Sequence, residues 1–270
     1  MQPEGTAVVT GASRGIGRAV ALELSSRGFD VVATMRDAAA GAAMAHQVPE
    51  PAGSLRVEQL DVTRPETISL PADLKVLVNN AGVEAAYLPI EMAPDSMWRQ
   101  IFDTNVFGLL NVTRAALPIL RQGNGGVICN VTSSSILAPV PFYSAYRASK
   151  AAVSALGESL RAEAAPFGIR VVEIMPGPID TDMYALSERP PEALEHQPYR
   201  ALAERMTEMR APTKDMVISA AEAATAIVDA ICDDSGPLRY GCDPLSVGML
   251  AHWRRSTDEE SMAGILGALS

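Results

Sequence analysis

Tyr146 and Lys150 stand four residues apart in the run Tyr-Arg-Ala-Ser-Lys, a spacing that places both side chains on one face of a helix. A free tyrosine loses its proton near pH 10, so it is a poor base at neutrality. Lowering that value to about 7 takes roughly 4 kcal/mol of preferential stabilisation of the phenolate. A lysine ammonium beside the ring acts in the required direction. The serine run Ser133-Ser134-Ser135 stands shortly before Tyr146, and a hydroxyl from it could bind and polarise a carbonyl oxygen. Three such groups can move a proton to or from an oxygen whose carbon changes oxidation state. Tyr143 is a weaker partner for this chemistry, because Arg147 rather than a lysine follows it by four residues.

A redox step needs an electron carrier, and the N-terminal run Thr10-Gly-Ala-Ser-Arg-Gly-Ile-Gly17 is suited to holding one. Its glycines, Gly11, Gly15 and Gly17, fall between an apolar strand pattern and a helical one. Backbone can therefore approach a pyrophosphate at the helix N-terminus, where exposed N–H groups and the helix dipole favour an anion. The spacing is GxxxGxG, distinct from the GxGxxG of other dinucleotide folds.

Taken in order, TGASRGIG, Asn79-Asn-Ala-Gly82, Tyr146-Arg-Ala-Ser-Lys150 and Pro176-Gly177 resemble the short-chain dehydrogenase/reductase family over about residues 5 to 182. The wording Val-Ala-Thr-Met-Arg-Asp and Pro-Phe-Gly-Ile-Arg-Val looks closest to its hydroxysteroid and retinol dehydrogenase branches. The resemblance implies that Ser133, Tyr146, Lys150 and Asn105 are catalytic, with Ser133 chosen over Ser134 and Ser135 by its spacing of 13 residues before Tyr146, and with Asn105 holding Lys150 and a water in a proton relay. It also implies cofactor contacts from Gly11, Ser13, Arg14, Gly15, Ile16 and Gly17 in the glycine turn. Asp61 resembles the acid that touches adenine, with Val62 beside it, and its plainer role is a turn residue ahead of Thr63. Asn79, Ala81 and Gly82 resemble the turn under the adenosine half, and Pro176, Gly177, Ile179 and Thr181 resemble the residues around the nicotinamide. One departure stands out: Ile136 occupies a position, three after Ser133, where the family commonly has glycine. That position is expected to edge the substrate cleft.

Cofactor choice turns on Ala33-Thr-Met-Arg-Asp37. NAD-preferring members of the family carry an acid where Met35 stands here. Arg36 follows, and Arg14 adds a second guanidinium, a pair suited to a 2′-phosphate despite Asp37. NADP(H) is therefore favoured over NAD(H).

Strand-like runs over 6–10, 29–35, 55–60, 75–79, 127–132 and 169–175 alternate with helical patterns over 16–27, 95–121 and 146–167. Near-continuous apolar strands separated by helices predict an α/β fold: one doubly wound, Rossmann-like parallel sheet in a single domain spanning 1–270. The stretch from Thr63 to Leu74 leaves room for only a stunted crossover helix. After the sixth strand, residues 182–213 bring four prolines with scattered methionines and aromatics. That stretch is read as a substrate lid rather than a mobile surface loop.

Composition excludes other classes. Hydrophobic content of 48% against 20% charged residues argues against disorder, and 22 basic against 32 acidic residues give a net charge of −10. Nucleic acid and anionic lipid are therefore poor partners. Cys129, Cys232 and Cys242 lack metal or disulfide spacing, as do His46, His196 and His252, and no metal is expected. The N-terminus has no basic, apolar leader and no run is long enough to span a bilayer, so a cytoplasmic protein is expected. Apolar positions such as Val106, Leu109, Val153 and Leu156, with the pairing of these helices in the family, imply a homodimer or homotetramer.

The combined expectation is an NADP(H)-dependent oxidoreductase interconverting a ketone or aldehyde and an alcohol, on a lipophilic small molecule. The alternatives are a dinucleotide-sensing binding protein without turnover, and a non-redox lyase or epimerase that keeps the cofactor fold.

Overall fold

A computed structural model describes residues 2–44 and 53–269. His46 lies outside them. Five apolar, largely β-branched runs become strands: β1 (Thr6–Thr10), β2 (Asp30–Met35), β4 (Leu74–Asn79), β5 (Gly126–Val131) and β6 (Ile169–Ile174), joined at one edge by β3 (Leu55–Gln59). With β9 (Arg239–Tyr240) they form one parallel sheet in the order β3-β2-β1-β4-β5-β6-β9. The order reverses between β1 and β4, and the crevice beyond the carboxyl ends of these two strands is where open α/β sheets bind ligands.

Helices cover both faces. On one, α1 (Gly15–Ser26) and α7 (Ala220–Cys232) pack onto Val9, Val31, Val78 and Val172. On the other, α3 (Leu109–Gln122) seals Val8, Leu77, Ile128 and Val171. Alternate residues of one strand thus feed opposite cores, as a sheet covered on both sides requires. The Thr63–Leu74 connection holds a single 3-10 turn, Pro65–Thr67, in place of a crossover helix.

The helix expected over 95–121 is broken. It runs as α2 (Asp95–Phe102), a π-helical turn (Asp103–Gly108) and then α3. The turn turns Asn105 inward, where its amide bonds both backbone groups of Val83. Single π-helical turns within helices recur at functional sites. Next, α4 (Ser144–Ala164) carries Tyr146 and Lys150, and a 3-10 turn at 165–167 ends it.

After β6 the chain forms β7 (Ile179–Asp180), which pairs in parallel with β8 (Ile218–Ser219) as a separate ribbon. Between these two strands lie α5 (Asp182–Ser187) and α6 (Arg200–Arg210). This excursion is no bare loop. Ala193, Ala203 and Met206 are buried with Tyr87, Phe142 and Leu269 in a small core of their own. Two C-terminal helices follow, α8 (Pro244–Trp253) and α9 (Asp258–Ala268).

Val106, Leu109 and Val153, expected at a subunit interface, are instead buried within the chain where the π turn and α3 meet α4. Phe107 is the large apolar residue there that faces out, 54% exposed. Among the described residues no helix is long and apolar enough to cross a membrane.

Candidate active site

One cleft of about 920 Å³ runs across the carboxyl ends of β1, β4, β5 and β6. At one end lies the glycine turn. Gly11 takes a left-handed backbone (φ +66°), and a Cβ there would sit 2.8 Å from the Cα of Ala81. A Cβ on Gly17 would meet the Gly11 carbonyl at 2.6 Å and the Asn80 amide. Only glycine lets the three segments close this tightly. The side chain of Arg14, the N-cap of α1, makes no capping bond, and the first turn of α1 carries no acid. The leading N–H groups of α1 therefore remain available to an anion, which fits the pyrophosphate of a dinucleotide.

Asn80, rather than Asn79, serves this turn. Its Nδ2 donates to the carbonyls of Thr10 (2.9 Å) and Gly11 (3.2 Å). Asn79 points away from the cleft: it is 3% exposed and donates to Thr113 and Asn130. Alternation along β4 is the reason, since the last strand residue faces the α3 side and the next one turns over the glycines. Ala81 and Gly82 line the cleft as expected, and so do Ser13, Arg14, Gly15 and Ile16. Asp61 and Val62 line it too, with the Asp61 carboxylate accepting from the N–H and hydroxyl of Thr63 at 3.0 and 2.8 Å.

At the end of β2, Arg36 is exposed and borders the cleft. Asp37 does not oppose it directly, because its carboxylate caps the Ala38–Gly41 turn at the Ala39 N–H. Arg14 is engaged with Asp182 of α5 at 3.2 Å, a pair exposed on both sides. Met35 is 3% exposed and packs its thioether against Gly41 and in the core with Met44, although it touches the cleft. An acid there would be buried, so Arg36 is the cleaner position from which to alter cofactor choice.

Ser133, Tyr146 and Lys150 meet at the centre of the cleft. The Ser133 side chain bonds the Tyr146 phenol and also caps its own 3-10 turn at the Ser135 N–H (3.2 Å). Ser134 and Ser135 do not line the cleft. Lys150 is buried and donates to the Val131 carbonyl at 2.9 Å, with its Nζ 5.7 Å from the Tyr146 ring centre. Burial pulls its ammonium down to a pKa of about 8, while the charge of Glu84 acts against that fall. The expected depression of Tyr146 does not occur. Burial raises its pKa above the ordinary value, the Glu84 carboxylate adds to the rise, and the Ser133 bond opposes it. The reason is geometric: the lysine is committed to a carbonyl, and the desolvated ring meets a negative charge.

Asn105 lies behind the cleft rather than in it. Its Oδ1 accepts from Val83 N–H (2.8 Å), and its Nδ2 donates to the Val83 carbonyl and the Ser149 hydroxyl, both 3.0 Å. It pins the loop after β4 to α4. A Cβ on Gly82 would lie 3.3 Å from its Oδ1 and 3.5 Å from Lys150 Nζ, so that glycine separates the two. Ile136, expected at the cleft edge, packs instead with Leu137, Met175 and Leu250 under α8.

The third side is held from below. Pro176, Gly177, Ile179 and Thr181 line the cleft, and the Gly177 N–H donates to Asp243 Oδ2 at 2.7 Å. Asp243 is buried and caps α8, a role that its sequence surroundings do not announce. A short Cys-Asp-Pro run 66 residues beyond its partner gives only a helix-start signal. Equally unanticipated is the wall opposite. Phe142 adopts a left-handed backbone (φ +62°), rare for a bulky residue, and leads into Tyr143, whose ring stacks on Tyr146 at 4.7 Å. The expected lid does reach the site, contributing Met183, Tyr184 and Leu186.

Among the described residues no group of three His, Cys, Asp or Glu side chains is placed to hold a metal.

This architecture has known counterparts. The family model described as short chain dehydrogenase matches residues 5–191. A 3beta-hydroxysteroid dehydrogenase of Eggerthella lenta is 34% identical over 214 residues, covering 76% of this chain and 79% of that protein. A solved short chain dehydrogenase from Burkholderia cenocepacia, in complex with NADP, superposes with a TM-score of 0.77 at 28% identity, over 98% of this chain and 99% of its own. One from Burkholderia phymatum, in complex with NAD, gives 0.74 at 25% identity over 94% and 93%. The chain belongs to the short-chain dehydrogenase/reductase family. It is an oxidoreductase of CH–OH groups that uses a nicotinamide dinucleotide.

Proposed function

We propose that the protein is a cytoplasmic NADP(H)-dependent carbonyl reductase acting on a lipophilic ketone or aldehyde, and able to run the reverse oxidation. One observation carries the reading: the Tyr146 phenol, bonded to Ser133 and backed by Lys150, sits in the same cleft as the glycine turn. The nicotinamide, when bound, supplies or accepts the hydride. Ser133 orients and polarises the substrate oxygen, and the Tyr146 hydroxyl releases its proton to that oxygen. A phenol held above its ordinary pKa stays protonated at neutrality, the form that reduction needs. Lys150 presents a positive charge behind the ring and toward the ribose, and Asn105 fixes the loop that frames both.

Arg36, free of ion pairs among the described residues, is the anchor for a 2′-phosphate, and Arg14 the second once released from Asp182. The aromatic and aliphatic walls suit a lipophilic body, and the relative from Eggerthella lenta is named for a hydroxysteroid. Phe107 and its surroundings are the face for a homodimer or homotetramer.

The test is NADPH consumption, followed by absorbance, over a panel of ketones and aldehydes, with NADH in parallel. Turnover with NADPH ahead of NADH is expected. NADPH binding without turnover of any carbonyl would leave the binding-protein reading in its place.

A further inference from the structure

Glu84 follows the Asn80-Ala-Gly turn by two residues and opens on the cleft within reach of the reacting groups. Its Oε1 accepts from the Tyr87 hydroxyl at 2.9 Å, and the Tyr143 hydroxyl donates to it as well. Tyr143 is itself stacked between Tyr87 and Tyr146, with ring centres 4.7 Å apart on either side. Both phenol protons are thus spent on the carboxylate. What remains toward the cleft beside Tyr146 is acceptor only: carboxylate oxygen and phenol oxygen.

A second observation concerns charge. Withdrawing a carboxylate from water is costly unless a cation accompanies it. Of the other carboxylates drawn into this fold, Glu173 has its cation, with Arg239 Nε 3.1 Å away, and Asp243 has instead the N–H groups of Gly177 and Ser246 and the Ser246 hydroxyl as donors. Glu84 makes no salt bridge among the described residues. The guanidinium whose charge acts on it, Arg210, stacks over the Tyr87 ring and bonds Ser187 and Glu188 instead. Lys150 is bound to Val131. Partial burial holds the Glu84 carboxyl above its ordinary pKa, as an acid without a close cation should be.

Resting on the carbonyl-reductase reading above, we propose that Glu84 and Tyr143 form an acceptor-only subsite that selects carbonyl substrates bearing a hydrogen-bond donor beside the carbonyl, an ammonium above all. Ser133 and Tyr146 supply donors for the carbonyl oxygen, and the adjoining Glu84–Tyr143 wall takes the donor of the neighbouring group. The substrate is gripped with two polarities. A hydroxyl gains hydrogen bonds there, and an ammonium gains in addition the ion pair that the fold withholds.

The test uses the whole protein with NADPH and three ketones of matched size whose neighbouring group is ammonium, hydroxyl or methyl. The parent is expected to give kcat/KM in that order. Glu84→Gln keeps the size and one acceptor while removing the charge. It should lower the ammonium-to-methyl ratio about tenfold or more, mainly through KM, and the hydroxyl-to-methyl ratio far less. Glu84→Asp should recover part of the ammonium preference, and thermal melts verify that each variant folds. A butylamine salt should inhibit the parent competitively against the methyl ketone, and inhibit Glu84→Gln at least severalfold less. A parent that favours the methyl ketone, or ratios that Glu84→Gln leaves unchanged, overturn the proposal. Failure to reduce any of the three ketones sinks the reductase reading, and the subsite with it.

Discussion

The two ends of the cleft are built from different materials. The dinucleotide end is made of backbone: glycines at 11, 15 and 17, the bare start of α1, and an asparagine bonding two carbonyls. The substrate end is made of side chains gathered from distant segments: Glu84 after β4, Tyr143 before α4, and Met183, Tyr184 and Leu186 of the excursion after β7. Such backbone sites favour one residue type, because a Cβ on Gly11 or Gly17 collides and Gly15 holds a left-handed backbone (φ +56°). Side-chain walls tolerate many. Chemistry common to a family therefore lies at the first end and along the Ser133–Tyr146–Lys150 line, while selectivity lies at the second.

The largest effect expected is at the junction of the two. Tyr146→Phe removes only the phenolic oxygen and its proton. Turnover should fall by roughly 10² to 10⁴ while NADPH binding, read by fluorescence titration, stays nearly intact. Activity within tenfold of the parent would break the division of labour.

Gly17→Ala should injure the backbone end alone. Its methyl would press on the Gly11 carbonyl and displace the Asn80 clasp. A loss of roughly 1–3 kcal/mol in stability is expected, with weaker dinucleotide binding. Calorimetry and titration check both. An unchanged melting temperature with full NADPH affinity would mean the close approach is not needed.

Lys150 sets function against stability. Its pKa is lowered from 10.5 to about 8 by burial, so the unfolded chain binds the proton more tightly. Fold stability from this group therefore rises with pH between about 8 and the unfolded value near 10.4, and the charged form costs at neutrality. Lys150→Met should stabilise by about 2 kcal/mol, even after losing the bond to Val131, while abolishing turnover. In the parent, reduction should decline as pH rises through about 8, where the ammonium is lost. A destabilised Lys150→Met, or a flat profile there, would contradict this account.

The smallest change belongs to the edge of the dinucleotide end. Arg36→Ala should lower the NADPH-to-NADH ratio of kcat/KM about tenfold, the worth of one charge-assisted contact. If the parent already prefers NADH, Arg36 is ordinary surface charge.

What the sequence makes legible follows the same division. β1, the glycine turn and the Tyr146–Lys150 spacing are local patterns, and the structure places each within a residue or two of expectation. The parallel sheet follows from apolar runs separated by helical ones. The misses are non-local or too short to carry a period. β7, β8 and β9 hold two residues each, so no alternation exists to read. Asn79 and Asn80 are adjacent and chemically identical, and only the pleat of β4 decides which one faces the cleft. The depression of Tyr146 expected from Lys150 is overturned first by burial of the ring, which depends on the whole packing, and then by Glu84, a residue 62 positions before Tyr146 with no motif around it. Asp243, holding Gly177 from the start of α8, is invisible for the same reason.

The ribbon of β7 and β8 has a structural consequence of its own. Ile179 lies against Ile218 and Asp180 against Ser219, so the excursion between them begins and ends at one point beside the sheet. Everything between is a cassette with a closed collar. Lengthening such a segment costs only the logarithm of its size in closure entropy, about 0.6 kcal/mol per doubling. A graft from a relative, cut at these two pairs, should leave the strands and the glycine turn undisturbed and carry its own selectivity across.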